Sequence, residues 1–487
     1  MADNLENAMQ YASEFRLEVC ELCTVSGLKL DLTEQCAGVN IFEDIFTNAI
    51  TGDISFVDTN NLISNAPIIG QEKLRLKLST PQGDATNRMN SIDFTDVPLN
   101  VFKINSSLQY NDNTTTFVLS FTTSEFIRNN RLRLSQSFEG EPAEDIVKKI
   151  IRDEELLNSK KEFFFEKTSN NFRFIAPSVR PFDFINQVAK RCLSANYNYQ
   201  PSYVFYETTK GYFFRSIDSM MDVKNPKMVF REIMANELDE STGTINPARN
   251  LENIISYEIV SQTNTLFNTR TGMYGGKLTA VDLYNKQLKN YTYNYIDDFD
   301  KSLHTDNYSL FGGSSQQPVL STAKDEFDNR ISDYPEQAIY CQTTDRETPD
   351  GLYNSSFDQQ FDYNGVDQWV MQRRSRMSQI QSALTMRVEV PGNTILQAGD
   401  LIGMVLRTKS TGDGEADPYR TGRYLIKKLR HEFQIGQGQA HHFVHMEVVR
   451  DNISQPYPSA GVNCPVGGSS LDREMPKGSE DPSDVVF

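Results

Sequence analysis

No run of eighteen apolar residues occurs anywhere in the 487-residue sequence, so it offers no membrane-spanning helix. Its start, MADNLENAMQYASEF, lacks the basic beginning and apolar centre of a secretion signal, and the chain is expected to be soluble and to stay where it is made. Cysteine is scarce: Cys20, Cys23, Cys36, Cys192, Cys341 and Cys464 are too few and too irregular for a disulfide framework at this length, so reduced thiols are expected. Cys20 and Cys23 form a CxxC, but on the alternating run EFRLEVCELC rather than at a helix start that would stabilise a thiolate. Only Cys36 is near enough to join them, which is short of the four ligands of a structural zinc site.

Histidine is nearly as rare. Of His304, His431, His441, His442 and His445, four lie in one hairpin. In QAHHFVHMEVV, His441, Phe443 and His445 share one strand face and His442, Val444 and Met446 the other. A pair at 441 and 445 would be about 13 Å apart along a strand, too far for one ion. No metal and no cofactor is expected. No Ser or Cys is visibly poised by a His, and Gly436 and Gly438 are not followed by the helix and Lys-Ser/Thr of a phosphate loop. The carboxylate clusters in YIDDFDK and EFDNRISDYPEQ are ordinary for so acidic a chain, and a non-catalytic protein is expected. Positive charge is also short, 48 Lys and Arg against 65 Asp and Glu, a net −17. That balance excludes a general nucleic-acid binder; it suits solubility or, in a conduit, a wall that repels DNA phosphates.

What is present is β pattern. FRLEVCELC, LKLDL, GDISFVD and EKLRLKLS alternate with period two, as antiparallel strands with one wet face do. VNIFEDIFTNAI, with apolar residues at 41, 42, 45, 46 and 50, reads as a helix that plugs the barrel. LNVFKINSSLQYNDNTTTFVLSFTTSEFI reads as a hairpin turning at Asn111-Asp112-Asn113. Residues 1–128 thus form one small barrel. A mixed region follows, with helices in EPAEDIVKKIIRDEELL and RPFDFINQVAKRCL and a hairpin in PSYVFYETTKGYFFRSID turning at Lys210-Gly211. Strands return with LENIISYEIVSQTN, and Tyr274-Gly275-Gly276 punctuates a hairpin or bulge. Residues from about 300 to 360 are too polar for a core and read as an extended loop or insertion. GVDQWVMQRRSRMSQIQSA reads as a helix whose Arg373–Arg376 cluster solvates one face or docks on a neighbour. A last β block and a Pro-, Gly- and Ser-rich tail from 453 close the chain.

The words of that block, VEVPGNTILQAGDLIGMVL, YLIKKLRHEF and HHFVHMEVVRDN, resemble in order the second tube-like barrel of phage tail hub proteins and of the related type VI secretion spike heads. Pro391-Gly392-Asn393 and Ala398-Gly399-Asp400 are its turn positions, where Gly392 and Gly399 would admit conformations closed to other residues and Asp400 would bond its own turn. PIIGQEKLRLKL, with Pro67, Gly70 and Glu72, is similar to the first barrel of these hubs, and VFYETTKGYFFRSID to their middle-domain hairpin. The resemblance implies a mainly β chain with α+β insertions. Two tube-like antiparallel β-barrels would occupy 1–128 and, discontinuously, 249–285 with 384–452. A middle domain would cover 129–248, an insertion 286–383 and a tail 453–487. It further implies a baseplate hub of contractile-tail phages in the virion, assembled in the host cytoplasm. The hub would be a homotrimer joining the tail tube protein to the central spike protein, touching wedge and tape measure proteins and passing DNA without specific binding. The rival readings are a tail-associated cell-wall hydrolase and a receptor- or carbohydrate-binding tail protein.

Overall fold

Alternation in the sequence becomes strand wherever one face finds a core. The computed structural model describes residues 9, 11–58, 68–81, 90–111, 114–169, 171–232, 250–282, 286–310, 316–325, 327–342, 368–408, 416–436 and 439–454. The chain is mainly β, and most strands join one large sheet that is antiparallel almost throughout.

The N-terminal half-sheet holds β1 (Arg16–Cys23), β2 (Lys29–Asp31), β3 (Cys36–Asp44), β4 (Thr51–Asp58), β5 (Lys73–Thr80), β6 (Asn90–Asp93), β7 (Leu99–Asn111) and β8 (Thr114–Thr122). Leu74, Leu76 and Leu78 of β5 point inward with Cys20, Leu22, Val39, Ile41, Ile54 and Phe121, all buried in one core. The expected helix over 41–50 is absent. β3 runs straight through to Asp44, because it is laddered on both edges and its inward positions 39, 41 and 43 are the buried ones. The strand reading of SEFI is likewise replaced, by helix α1 (Ser124–Arg131).

The middle region carries β9 (Leu134–Pro142), helix α2 (Ala143–Arg152), β10 (Glu162–Phe165), β11 (Asn171–Val179), helix α3 (Pro181–Ala189), β12 (Tyr203–Thr208), β13 (Gly211–Ser216) and helix α4 (Ile217–Met221). In α2 the acids Glu144 and Asp145 stand in the first turn and Lys149 and Arg152 in the last, as the helix dipole favours. Its buried Ile146, Val147, Ile150 and Ile151 share a core with Phe182 and Ile185 of α3 and with Phe205 and Tyr212, whose rings stack at 5.4 Å.

Beyond β14 (Val229–Arg231) and β15 (Ser256–Ser261) come helix α5 (Thr265–Arg270), β16 (Gly275–Asp282), β17 (Gln287–Asn294), β18 (Gln317–Pro318) and β19 (Glu336–Gln342). Gly275 and Gly276 open a strand here and do not punctuate a turn. Helix α6 (Arg373–Ser382) leads back to β20 (Leu384–Pro391), β21 (Leu401–Val405), β22 (Gly422–Gly436), β23 (Gln439–Arg450) and β24 (Asn452–Ile453). Met386, Val388, Ile402, Tyr424, Ile426, Val444 and Val448 are buried in the core of this C-terminal half-sheet.

The two half-sheets share a strand order. One runs β3-β4-β8-β7-β5-β1 and the other β15-β20-β23-β22-β21-β14. The likeness extends to register: Lys73 pairs with Asn100 as Leu401 pairs with Leu425, and each long strand then bulges, after Val101 in β7 and after Ile426 in β22. Val101 N donates to Glu72 O at 3.0 Å as Ile426 N donates to Asp400 O at 2.9 Å. The last members differ, since β1 is antiparallel to β5 and β14 is parallel to β21. In the second half Arg231 bridges Asn253 just ahead of β15, while Glu14, just ahead of β1, bridges His441 of β23 in the other half. A fully laddered closed barrel is not found among the described residues.

Candidate assembly site

The two half-sheets meet where β22 pairs antiparallel with β3, from Lys428 opposite Asp44 to Gln434 opposite Gly38. β22 reaches this far because its first residues hold β21 and its later ones overshoot that partner. The ladder continues past the strand end, as Ile45 N donates to Lys427 O at 3.1 Å. Along the seam lies a groove of about 640 Å³, lined by Phe42, Arg387, Glu389, Arg430, His445 and Glu447 among others. Opposite charges meet along it, Arg387 3.7 Å from Glu258 and Lys428 3.7 Å from Asp44, and His445 Nε2 lies 2.8 Å from Glu432. Such partly exposed pairs add little stability and mainly pattern the surface.

The predicted turn positions from 391 to 400 lie in the loop between β20 and β21. Gly399 has φ +85°, the left-handed conformation expected of it, and a Cβ there would lie 2.3 Å from Tyr206 Oη. Gly392 is not in that region; its need is space, because a Cβ would fall 2.0 Å from the ring of buried His442, to whose carbonyl its own N–H donates at 2.7 Å. Asn393 Oδ1 accepts from Ile395 N at 3.1 Å. The Asp400 side chain does not bond its turn backbone: Gln397 Nε2 donates to Oδ1 at 3.3 Å, Oδ2 is buried without a partner, and burial raises its carboxyl. Pro391 ends β20. Gly70 has φ +81° and sits beside Glu72, whose carboxylate accepts the N–H groups of Ile69, Gly70 and Gln71 at 2.7, 2.9 and 3.0 Å. Pro67 lies outside the described residues.

The loop from Pro391 to Asp400 is a three-way junction. Thr394 Oγ1 donates to Asn90 O at 2.8 Å in the first half, and Arg215 Nη2 of the middle region donates to Gly399 O at 3.1 Å. At its centre Glu43, 2% exposed, accepts from Ala398 N at 2.8 Å and Thr209 N at 2.7 Å. Burial pushes the Glu43 carboxyl up to about 7, against those two N–H groups. Its only sequence signal is its place, inward on an alternating strand.

A second buried polar cluster overturns two expectations. Arg376 does not solvate a helix face: 2% exposed, it is 2.5 Å from Asp451, bonds Leu303 O and stands 3.8 Å from Asp218. The polar stretch near 300 is not all extended loop either, since His304, Thr305 and Asp306 are buried. His304 Nδ1 is 2.9 Å from Asp451 Oδ2, and Arg450 is 2.5 Å from Asp306. Burial would raise the Asp451 carboxyl, but His304 and Arg376 outweigh it and hold it below the usual range. Residues 311–315 and 343–360 of that stretch, and those after 454, lie outside the described residues.

The histidines alternate as the sequence requires, with His442 buried and His441 and His445 half-buried. Across the hairpin, His431 Nδ1 lies 3.0 Å from His442 Nε2 with both side chains fully buried, a pairing that reading along one strand could not find. Burial pushes His431 down to about 3 and His442 well below 6.5. Among the described residues no three His, Cys, Asp or Glu side chains gather as a metal-binding group, and no helix is long and apolar enough to cross a membrane.

No family model and no curated protein matches the chain. Solved structures similar to it include tail proteins and type VI secretion components. A tail protein of Neisseria meningitidis is 9% identical, with 91% of this chain and 98% of that one covered at a TM-score of 0.49. A 43 kDa tail protein of prophage MuSo2 from Shewanella oneidensis is 10% identical, covering 89% and 98% at 0.49. An E. coli type VI secretion component described as similar to bacteriophage T4 tail proteins is 9% identical, covering 92% and 79% at 0.40.

Proposed function

We propose that this chain is a non-catalytic structural hub of a contractile-tail baseplate. The observation that carries the reading is the repeat within one polypeptide: six strands in one order, the first five matched in direction, twice, fused at β22–β3. Three copies then present six similar units, so one ring can match a six-fold tail tube on one side and a three-fold central spike on the other. Each half-sheet acts as a tube-like barrel, and the groove face of the shared sheet lines the channel. The net charge of −17 keeps DNA phosphates from adhering as the genome passes. Wedge and tape measure proteins contact the ring in the virion tail.

Native mass measurement and electron microscopy of the purified chain test this reading. The expected result is a three-copy ring with an axial hole and six similar lobes. A monomer with no ring at any concentration, or cell-wall hydrolysis by the purified chain in a zymogram, would overturn it.

A further inference from the structure

The ends of the two half-sheets are held differently. In the second half they meet by backbone: Arg231 N of β14 donates to Glu252 O at 2.8 Å, and Ile254 N, just ahead of β15, donates to Arg231 O at 3.0 Å. In the first half the ends of the strand order are β3 and β1, and among the described residues no ladder joins them. A pair of thiols lies between them instead.

Cys20 of β1 and Cys36 of β3 are 0% and 3% exposed and belong to one core with Leu22, Leu76 and Phe56. The chain brings them together by a short path. Leu32 N donates to Cys20 O at 2.8 Å, a turn follows in which Gln35 N donates to Leu32 O at 3.1 Å, and Cys36 comes directly after it. The two side chains interact: the Cys36 thiol, and burial with it, pushes Cys20 well above the usual thiol range, while Cys20 draws Cys36 below it. Cys36 is therefore the sulfur that ionises first, and the thiolate is the form that reacts with oxidants. Cys23 is placed to stay out of this chemistry. Three residues on from Cys20 in a strand, it points to the opposite face and is only half-buried.

We propose that Cys20 and Cys36 form a disulfide when the chain meets peroxide, a covalent clasp between the two ends of the first half-sheet. The Cys36 thiolate sulfur attacks one peroxide oxygen, the O–O bond breaks and the departing hydroxide takes up a proton as water, leaving a sulfenic acid on Cys36. The Cys20 sulfur then attacks the Cys36 sulfur, and the S–O bond breaks as the hydroxyl leaves with the Cys20 proton as a second water. Two thiols are oxidised and one peroxide is reduced. The clasp encloses the β1–β2 hairpin within a single chain, so it needs no second copy, and its main effect is to restrict the unfolded chain.

Peptide mapping tests it. The purified chain is treated with hydrogen peroxide, denatured, alkylated and digested without reductant. The expected result is a peptide joining Cys20 to Cys36, lighter by two hydrogens than its parts and released by dithiothreitol, with Cys192 alkylated. The treated chain should unfold at a higher urea concentration before dithiothreitol than after it; Cys23→Ser should keep that difference and Cys36→Ser abolish it. If Cys20 and Cys36 are both alkylated after peroxide, or if the joined pair is Cys20 with Cys23, the clasp is overturned whatever the variants do.

Discussion

Single residues carry the tightest constraints at the three-way junction. Gly392 lies against the His442 ring with no room for a methyl group, so Gly392→Ala should lower stability by about 1–3 kcal/mol through overpacking, read as a lower urea midpoint. Glu43 and the histidine pair give opposite pH signatures. The Glu43 pKa is raised from 4.5 to about 7 in the fold, so its contribution to stability is complete below 4.5 and lost as pH rises through about 7. His431 and His442 are depressed from 6.5, His431 to about 3, so their contribution is present above 6.5 and lost as pH falls toward about 3. Urea melts across this range should show stability falling on both sides. Glu43→Gln should flatten the alkaline slope alone; an unchanged slope would remove Glu43 as its source. Of these residues only Gly392 was visible as special in the sequence, and its reason, space rather than backbone angle, was not.

At the scale of elements, α6 and the end of β23 are joined by charge as well as by the core that Ile380 and Val449 share. Arg376 and Asp451 are both fully enclosed, and Asp218 and His304 complete the cluster from α4 and the polar insertion. Removing one partner leaves a buried charge without its counterion. Arg376→Ala should therefore cost about 3–5 kcal/mol, and Asp451→Asn in the same chain should recover part of it; additive losses would show that the two are not coupled. Elements with strong period, β5 and β23 and helices α2 and α3, were legible beforehand because their apolar spacing alone chooses the buried face. The segment over 41–50 was not, since IFEDIF satisfies a helical stripe and an alternating strand equally. Two flanking ladders decided for the strand.

For the molecule as a whole, the repeated strand order matters more than any one cluster. The proposed ring puts the groove face toward the axis, where Glu389 and Glu258 stand near Arg387. Changing both glutamates to Lys should slow genome release from assembled particles, because phosphates would then adhere to the wall, while ring mass stays the same. Release at the wild-type rate would show that this face does not meet DNA.

The sequence by itself determined the β character of the chain, the two amphipathic helices of the middle region and the turn at Gly399, since each depends on neighbours a few residues away. Tertiary structure alone decided that two half-sheets join through β22 and β3, that Glu43 sits at a three-way junction, and that Arg376 meets Asp451. Those contacts bring together residues tens to hundreds of positions apart, and no local pattern records which distant strand edge or buried charge a residue will find.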